Sequence, residues 1–181
     1  PRFTSPVNYK DLRFALELKS QYPAHNYERS APIVSNLRMV KSEIETGLIK
    51  KAIDITAKGF DRLLKFVKPG VMEYEVEAEI THEFISNKAN GHAYYPIVAS
   101  GAGACVLHYV ENNKVCKDGD LLLLDFGAEY ANYAGDLSRT LPVNGKFNKR
   151  QKEVYNACLN VMKAAKKLLV VGTYIDEYHP K

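Results

Sequence analysis

The chain has 181 residues, of which 46% are apolar, 25% charged and 10% aromatic. Those proportions belong to a soluble globular domain and exclude disordered, collagen-like and disulfide-scaffold classes. Twenty-five Lys and Arg against 21 Asp and Glu leave a net charge of +4, which without a concentrated patch indicates neither nucleic acid nor a membrane surface. Three cysteines, Cys105, Cys116 and Cys158, have no C-x-x-C spacing and read as free thiols. The start carries no basic-then-apolar leader, and the uncharged stretch at residues 96–110 is short and broken by Gly101 and Gly103, so it does not span a bilayer. The expectation is a cytoplasmic protein.

In residues 1–35, Pro1, Pro6, Pro23 and Pro32 break the pattern, and only residues 11–20 repeat apolar positions (Leu12, Ala15, Leu16) at helical spacing. This segment reads as a linker or the remnant of a preceding domain, with residues 36–181 as the body. Ser42-Glu-Ile-Glu45 is a capping box. Behind it Ile44, Leu48, Ala52, Ile55, Phe60, Leu63 and Val67 predict one long amphipathic helix, stopped by Lys68-Pro69-Gly70. A second helix is predicted over residues 73–87, burying Val76, Ile80 and Phe84, with Gly91 closing it.

Residues 94–100, 106–110 and 121–143 are rich in strand formers separated by Gly, Asn and Asp, so strands or hairpins follow the helices. Asn148 and Gln151 cap a third helix running to Leu169, with Gly172 beyond it. Lys163, Lys166 and Lys167 suit a solvated helix end that complements the helix dipole. The Phe66–Tyr74 and Leu168–Asp176 segments share a helix, glycine, helix-start pattern 102 residues apart, which hints that a second copy of the helix–helix–sheet unit begins there.

Leu121-Leu-Leu-Leu-Asp125 ends an apolar strand on a carboxylate, which burial makes costly unless a cation, donors or a raised pKa accompanies it. Asp136 lies on the expected return strand. An even-length hairpin centred on Tyr130-Ala131 sets Asp125 directly opposite Asp136 on one face with Gly127, Ala134 and Ser138, while Leu122, Leu124, Phe126 and Leu137 form the core face. Two facing carboxylates call for something positive between them, and hard or borderline ions such as Mn2+, Mg2+ or Zn2+ suit oxygen donors. An odd loop would part them. In the alternative, Asp125 caps a turn and Asp136 pairs with Arg139 or a lysine, and spacing alone leaves both readings open.

His108, in the strand-like run Val106-Leu-His-Tyr109, is the histidine best placed for chemistry. His25, His82, His92 and His179 receive no role. Asp125-Phe-Gly127 lacks the other kinase motifs, His82-Glu83 lacks the second histidine of a zinc helix, and no G-x-S-x-G elbow is present. Cys105 and His108, three apart on a strand, would face opposite ways and make no nucleophile–base pair.

Taken in order, Leu37-Arg-Met-Val-Lys-Ser42, Tyr95-Pro-Ile-Val-Ala-Ser-Gly101, His108-Tyr-Val-Glu-Asn112, Asp118-Gly-Asp-Leu-Leu-Leu-Leu-Asp125-Phe-Gly and Tyr133-Ala-Gly-Asp136-Leu-Ser-Arg-Thr140 closely resemble the catalytic domain of Xaa-Pro aminopeptidases (aminopeptidase P). These are pita-bread metallopeptidases, as are prolidase and methionine aminopeptidase. The resemblance runs from about Ser35 to the end. Ser138 stands where Thr is frequent and Leu141 where Phe is frequent.

The resemblance implies an α+β fold, the first half of a pita-bread fold with helices packed on an antiparallel sheet. It implies two divalent metal ions, Mn2+ by preference, with Asp125 chelating one and Asp136 bridging both, and His108 contacting substrate near the scissile peptide. The implied substrate is a peptide with proline in second position, from which the N-terminal residue is removed. Prolidase, acting on Xaa-Pro dipeptides, is the alternative enzyme, and a non-catalytic pita-bread peptide-binding module the alternative class. The family completes its ligand set with one His and two Glu that this sequence does not reach, so the chain by itself is expected to be an inactive fragment. An open sheet edge would favour self-association.

Overall fold

The structure is a computed structural model that describes residues 9–178. Contacts divide the chain into two units, Pro1–Ser42 and Glu43–Lys181. The first holds α1 (Lys10–Gln21), where a helix was predicted, and α2 (Ser30–Met39), which the sequence reading missed. Pro32 reads as a break in the sequence, but it lies in the first turn of α2, where no intrahelical donor is lost. Neither helix buries a residue. The Tyr27 hydroxyl closes the end of α1 against the Leu18 and Tyr22 carbonyls, at 2.7 and 3.0 Å.

The second unit opens with α3 (Glu43–Phe66) and α4 (Glu73–Ser86), as their apolar spacing predicts. Ile55 and Leu63 of α3 and Val76, Ile80 and Phe84 of α4 are fully buried. They pack with Val98, Leu122, Leu124 and Phe126 from the sheets into one core. The chain leaves α4 at Lys88 (φ +67°) after the Asn87 side chain donates to the Glu83 carbonyl at 2.9 Å, so Gly91 is not the stop.

Two three-stranded antiparallel sheets follow, ordered β1-β4-β5 and β2-β3-β6. Their strands are β1 (Gly91–His92), β2 (Ile97–Ser100), β3 (Leu121–Phe126), β4 (Ala128–Tyr130), β5 (Tyr133–Ala134) and β6 (Leu137–Pro142). β2 is shorter than predicted because Pro96 has no N–H to give to a ladder. A 3-10 turn (Gly101–Cys105) ends it.

Residues 106–110 form no strand, which corrects the sequence reading. His108 (φ +51°) and Asn112 (φ +49°) turn left-handed, and only Tyr109 turns inward, at 3% exposure. Hydrogen bonds to α4 hold this stretch where a sheet ladder was expected.

α5 (Lys149–Leu168) carries the predicted cap, with Asn148 Oδ1 accepting from Gln151 N at 2.8 Å and Gln151 Oε1 from Asn148 N at 2.9 Å. α6 (Ile175–Tyr178) comes after it. The shared helix–glycine–helix corner is present in the backbone at both positions. Gly70 and Gly172 both hold φ +97°. Val71 N donates to the Lys68 carbonyl as Thr173 N does to that of Val170, at 3.4 and 3.1 Å. The Glu75 carboxylate accepts from Met72 N as that of Glu177 does from Tyr174 N, at 2.7 and 3.1 Å. His179 lies outside the described residues.

Candidate metal centre

β3 and β4 are one strand interrupted at Gly127, and β5 and β6 are one strand interrupted at Gly135 and Asp136. The same register runs through both parts, with Glu129 opposite Ala134 and Asp125 opposite Ser138. The hairpin therefore turns at Ala131-Asn132, whose φ angles of +51° and +68° suit the tight two-residue turn that fits strand twist. This corrects the expected register, since Asp125 faces Ser138 directly and not Asp136. The loop is still even, so the aspartates stay on one face as diagonal neighbours. Leu122, Leu124 and Phe126 point to the core, as expected.

At the interruption, Gly127 O accepts from Ala93 N and Gly135 N donates to Ala128 O, both at 2.8 Å. The segment joining β1 to β2 thereby brings Tyr94 onto the aspartates. Its hydroxyl lies 2.8 Å from Asp125 Oδ1 and 2.8 Å from Asp136 Oδ1. Asp125 Oδ2 accepts from Ser138 Oγ at 2.7 Å. Burial first, and then the two carboxylates, hold the Tyr94 hydroxyl far above the ordinary phenol range, so it keeps its proton.

That single proton serves two carboxylate oxygens. Among the described residues, no Lys or Arg forms an ion pair with either aspartate. Arg139, the partner in the alternative reading, donates to the Ser138 carbonyl at 2.7 Å. The cluster is thus rich in hard oxygen donors and short of positive charge, and its donor set fits a hard or borderline divalent ion. The backbone is cramped on either side, because a Cβ on Gly127 would stand 1.8 Å from Gly135 O. Among the described residues, no group of three or more His, Cys, Asp and Glu could hold a metal, and the site those residues bring together has two carboxylates.

His108 is exposed on the turn described above, not on a strand. The premise that separated it from Cys105 by strand alternation therefore fails. Past Ser138, the aspartate face continues into a groove of about 560 Å³ lined by Leu121, Leu123, Thr140, Tyr155, Leu159 and Met162 among others. Cys105, Cys116 and Cys158 are free thiols.

The sequence reading missed Tyr94 and Glu73. Tyr94 precedes a second tyrosine and a proline, with no periodicity to single it out. Glu73 looked like one more acidic residue in a helix's first turn, yet it is fully buried.

Residues 47–180 match the metallopeptidase family M24. The chain belongs to that family. It is 45% identical over 146 residues to the Xaa-Pro aminopeptidase of Haemophilus influenzae and 43% identical over 146 residues to that of Escherichia coli. Each match covers 81% of this chain, but 34% and 33% of those proteins, so the chain spans about a third of their length.

Among solved structures, Pseudomonas aeruginosa aminopeptidase PepP superposes with a TM-score of 0.86 at 33% identity, covering 97% of this chain and 42% of that one. A zinc-substituted E. coli aminopeptidase P in complex with product gives 0.84 at 38% identity over the same shares. The expected relationship and the α+β fold class, part of a pita-bread fold, are both borne out. Membership of M24 implies divalent metal binding, which agrees with the oxygen-rich pair. No helix among the described residues is long and apolar enough to cross a membrane.

Proposed function

We propose that the whole protein is a metal-dependent Xaa-Pro aminopeptidase, which removes the N-terminal residue from peptides with proline in second position. The observation that carries this reading is the Asp125–Tyr94–Asp136 cluster, two carboxylates on one face joined by one hydroxyl proton. Its support from relatives is the similarity to proteins named Xaa-Pro aminopeptidase.

In this reading Asp125 would chelate one divalent ion and Asp136 would bridge two, with Mn2+ as the preferred metal. Bound there, the ions supply an activated water and a polarised scissile carbonyl. Ser138 fixes the Asp125 carboxylate through its 2.7 Å hydrogen bond, and Tyr94 keeps one proton between the two aspartates. His108 contacts the substrate near the scissile peptide.

Residues 36–181 are read as part of the catalytic domain and residues 1–35 as the link from a preceding one. Free thiols agree with a cytoplasmic setting. Two carboxylates hold a dinuclear site weakly, because affinity follows ligand number and geometry. The 181-residue chain alone should therefore bind Mn2+ weakly and cleave nothing, and the open edges of the β2-β3-β6 sheet favour its self-association.

The test is Mn2+ titration followed by calorimetry and thermal unfolding. Wild type should take up Mn2+ and gain stability with its concentration, as binding linkage requires. Asp125→Asn and Asp136→Asn should abolish the gain. Equal Mn2+ responses in wild type and both variants would overturn the assignment of the ligands, and hydrolysis of Xaa-Pro peptides by the isolated chain would overturn its inactivity.

A further inference from the structure

Glu73 is the first residue of α4, and none of it is exposed. Both of its carboxylate oxygens are saturated. Oε1 accepts from Ser100 N and Ser100 Oγ, each at 2.7 Å. Oε2 accepts from the Tyr109 hydroxyl at 2.7 Å and from Lys114 N at 3.0 Å. Glu73 N donates in turn to the Lys114 carbonyl at 3.0 Å. A buried charge with this many donors is stable where it is and costly to move, since each charge-assisted bond is about twice as strong as a neutral one.

These four donors lie on two pieces of chain. Ser100 ends β2, whose other end, Ile97, pairs with Asp125. Tyr109 directly follows His108, Lys114 ends the loop that continues from it, and the Lys114 ammonium lies over the Tyr109 ring, 4.8 Å from its centre. Asn112, between Tyr109 and Lys114, donates to the Glu77 carboxylate one helical turn along α4. One carboxylate therefore joins the aspartate-bearing sheet to the histidine-bearing turn. His108 is itself exposed and left-handed, and the residue that anchors its backbone on the protein side is its buried neighbour Tyr109.

We propose that Glu73 is a positioning residue, which fixes the His108 turn against the sheet that carries Asp125 and so sets where the imidazole stands relative to the aspartate pair. Its functional meaning rests on the reading of His108 as a substrate contact. Its structural content, a turn held rigid by Glu73, does not.

The experiment is NMR on the 15N- and 13C-His-labelled 181-residue chain, comparing wild type with Glu73→Gln and Tyr109→Phe. The amide introduced by Glu73→Gln would present an N–H to groups that are themselves donors, whereas Tyr109→Phe deletes one hydroxyl and keeps the ring. In wild type the amides of residues 107–113 should be as rigid as those of β3, with order parameters of about 0.85. In both variants they should fall below about 0.6 while β3 and α4 stay rigid. If Glu73→Gln loosens the whole unit, Tyr109→Phe decides. A turn as rigid in Tyr109→Phe as in wild type overturns the proposal, and a turn loosened alone supports it.

Mn2+ added to the same samples gives a signature that mere loss of stability does not move. Broadening of the His108 ring should drop severalfold in the variants while that of the Ser138 amide is kept. No broadening at Ser138 in wild type would sink the metal reading, and broadening at Ser138 without His108 would sink the reading of His108. Both leave the relaxation result to judge Glu73 separately.

Discussion

Gly127 and Gly135 approach so closely that a Cβ on Gly127 would stand 1.8 Å from the Gly135 carbonyl oxygen. That oxygen is backbone and cannot swing away. A Cβ on Gly135 would meet Thr56 Oγ1 at 2.4 Å and the Ala52 carbonyl at 2.9 Å. Both glycines flank the aspartates, one two residues after Asp125 and the other directly before Asp136.

Gly127→Ala should accordingly force the two strands apart where the carboxylates meet. Overpacking of this kind costs about 1–3 kcal/mol and occasionally more, and contact with fixed backbone places it at the upper end. Urea denaturation should show the loss, and calorimetry should show Mn2+ uptake falling with it. A Gly127→Ala chain with wild-type stability and unchanged Mn2+ uptake would mean that the close approach does not constrain the site.

Thr56 performs a second backbone task. Its hydroxyl donates to the Ala52 carbonyl at 2.8 Å and accepts from Ala128 N at 2.9 Å, at 2% exposure. It thus satisfies a strand N–H beside the interruption, where the ladder offers no carbonyl. Thr56→Val keeps the shape and orphans that N–H, which should cost about 1–3 kcal/mol. Thr56→Ser restores the oxygen and should recover most of it. If Val and Ser were equally stable at this position, the hydroxyl would be shown to carry no such role.

What could be read from the sequence divides by the range of the interaction. α3, α4 and α5 were legible because apolar periodicity is a local signal, as are the α5 cap and the glycines that follow α3 and α5. The helix–glycine–helix corner at Gly70 and again at Gly172 was legible for the same reason. The shared face of Asp125 and Asp136 depended only on the loop being even, which spacing left open, and so it survived an error in the register. The register itself was not legible: Ala131-Asn132 is a weaker turn signal than Asn-Gly, and nothing nearby distinguishes it from Tyr130-Ala131. Residues 106–110 misled because their β-branched and aromatic content fits a strand, while their conformation is set by Glu73, far away in sequence. Tyr94 joins the aspartates only after three separate strands have paired, so no local pattern marks it.

Acid should expose the Glu73 network. Burial pushes its carboxyl up, but the bonds from Ser100, Tyr109 and Lys114 together outweigh that and hold it below its ordinary value of 4.5. A lowered folded-state pKa gives stability that is fully present above the unfolded value and is lost as pH falls through the folded one. Glu77 acts in the opposite sense, since burial raises its carboxyl above 4.5 and its cost disappears on protonation. The contrast between wild type and Glu73→Gln isolates the first effect. Their difference in unfolding free energy should be constant above about pH 5 and should shrink steadily below the ordinary carboxylate value. A difference independent of pH down to the acid transition would show that Glu73 is not held ionised by its partners.

The hairpin tip offers the opposite kind of change, one that should stabilise. Ala131 adopts φ +51° and Asn132 φ +68°. Left-handed backbone costs an alanine about 1–2 kcal/mol through its Cβ, whereas Asn tolerates it by local hydrogen bonding. Ala131→Gly removes the strain but adds unfolded-state entropy worth about 0.4–1 kcal/mol, so its net gain should be small. Ala131→Asn keeps the unfolded chain more restricted than Gly does and should gain about 0.5–1 kcal/mol. The pair Ala131→Asn with Asn132→Gly, which writes the strongest two-residue hairpin signal, should gain at least as much. The measurement is the urea midpoint at unchanged slope. Because a slip of one residue would turn Asp125 to the other face, a firmer turn also holds the aspartates together, and Mn2+ uptake should be kept in all three variants. Loss of stability in Ala131→Asn would show that the turn is not left-handed at this position and would reopen the register.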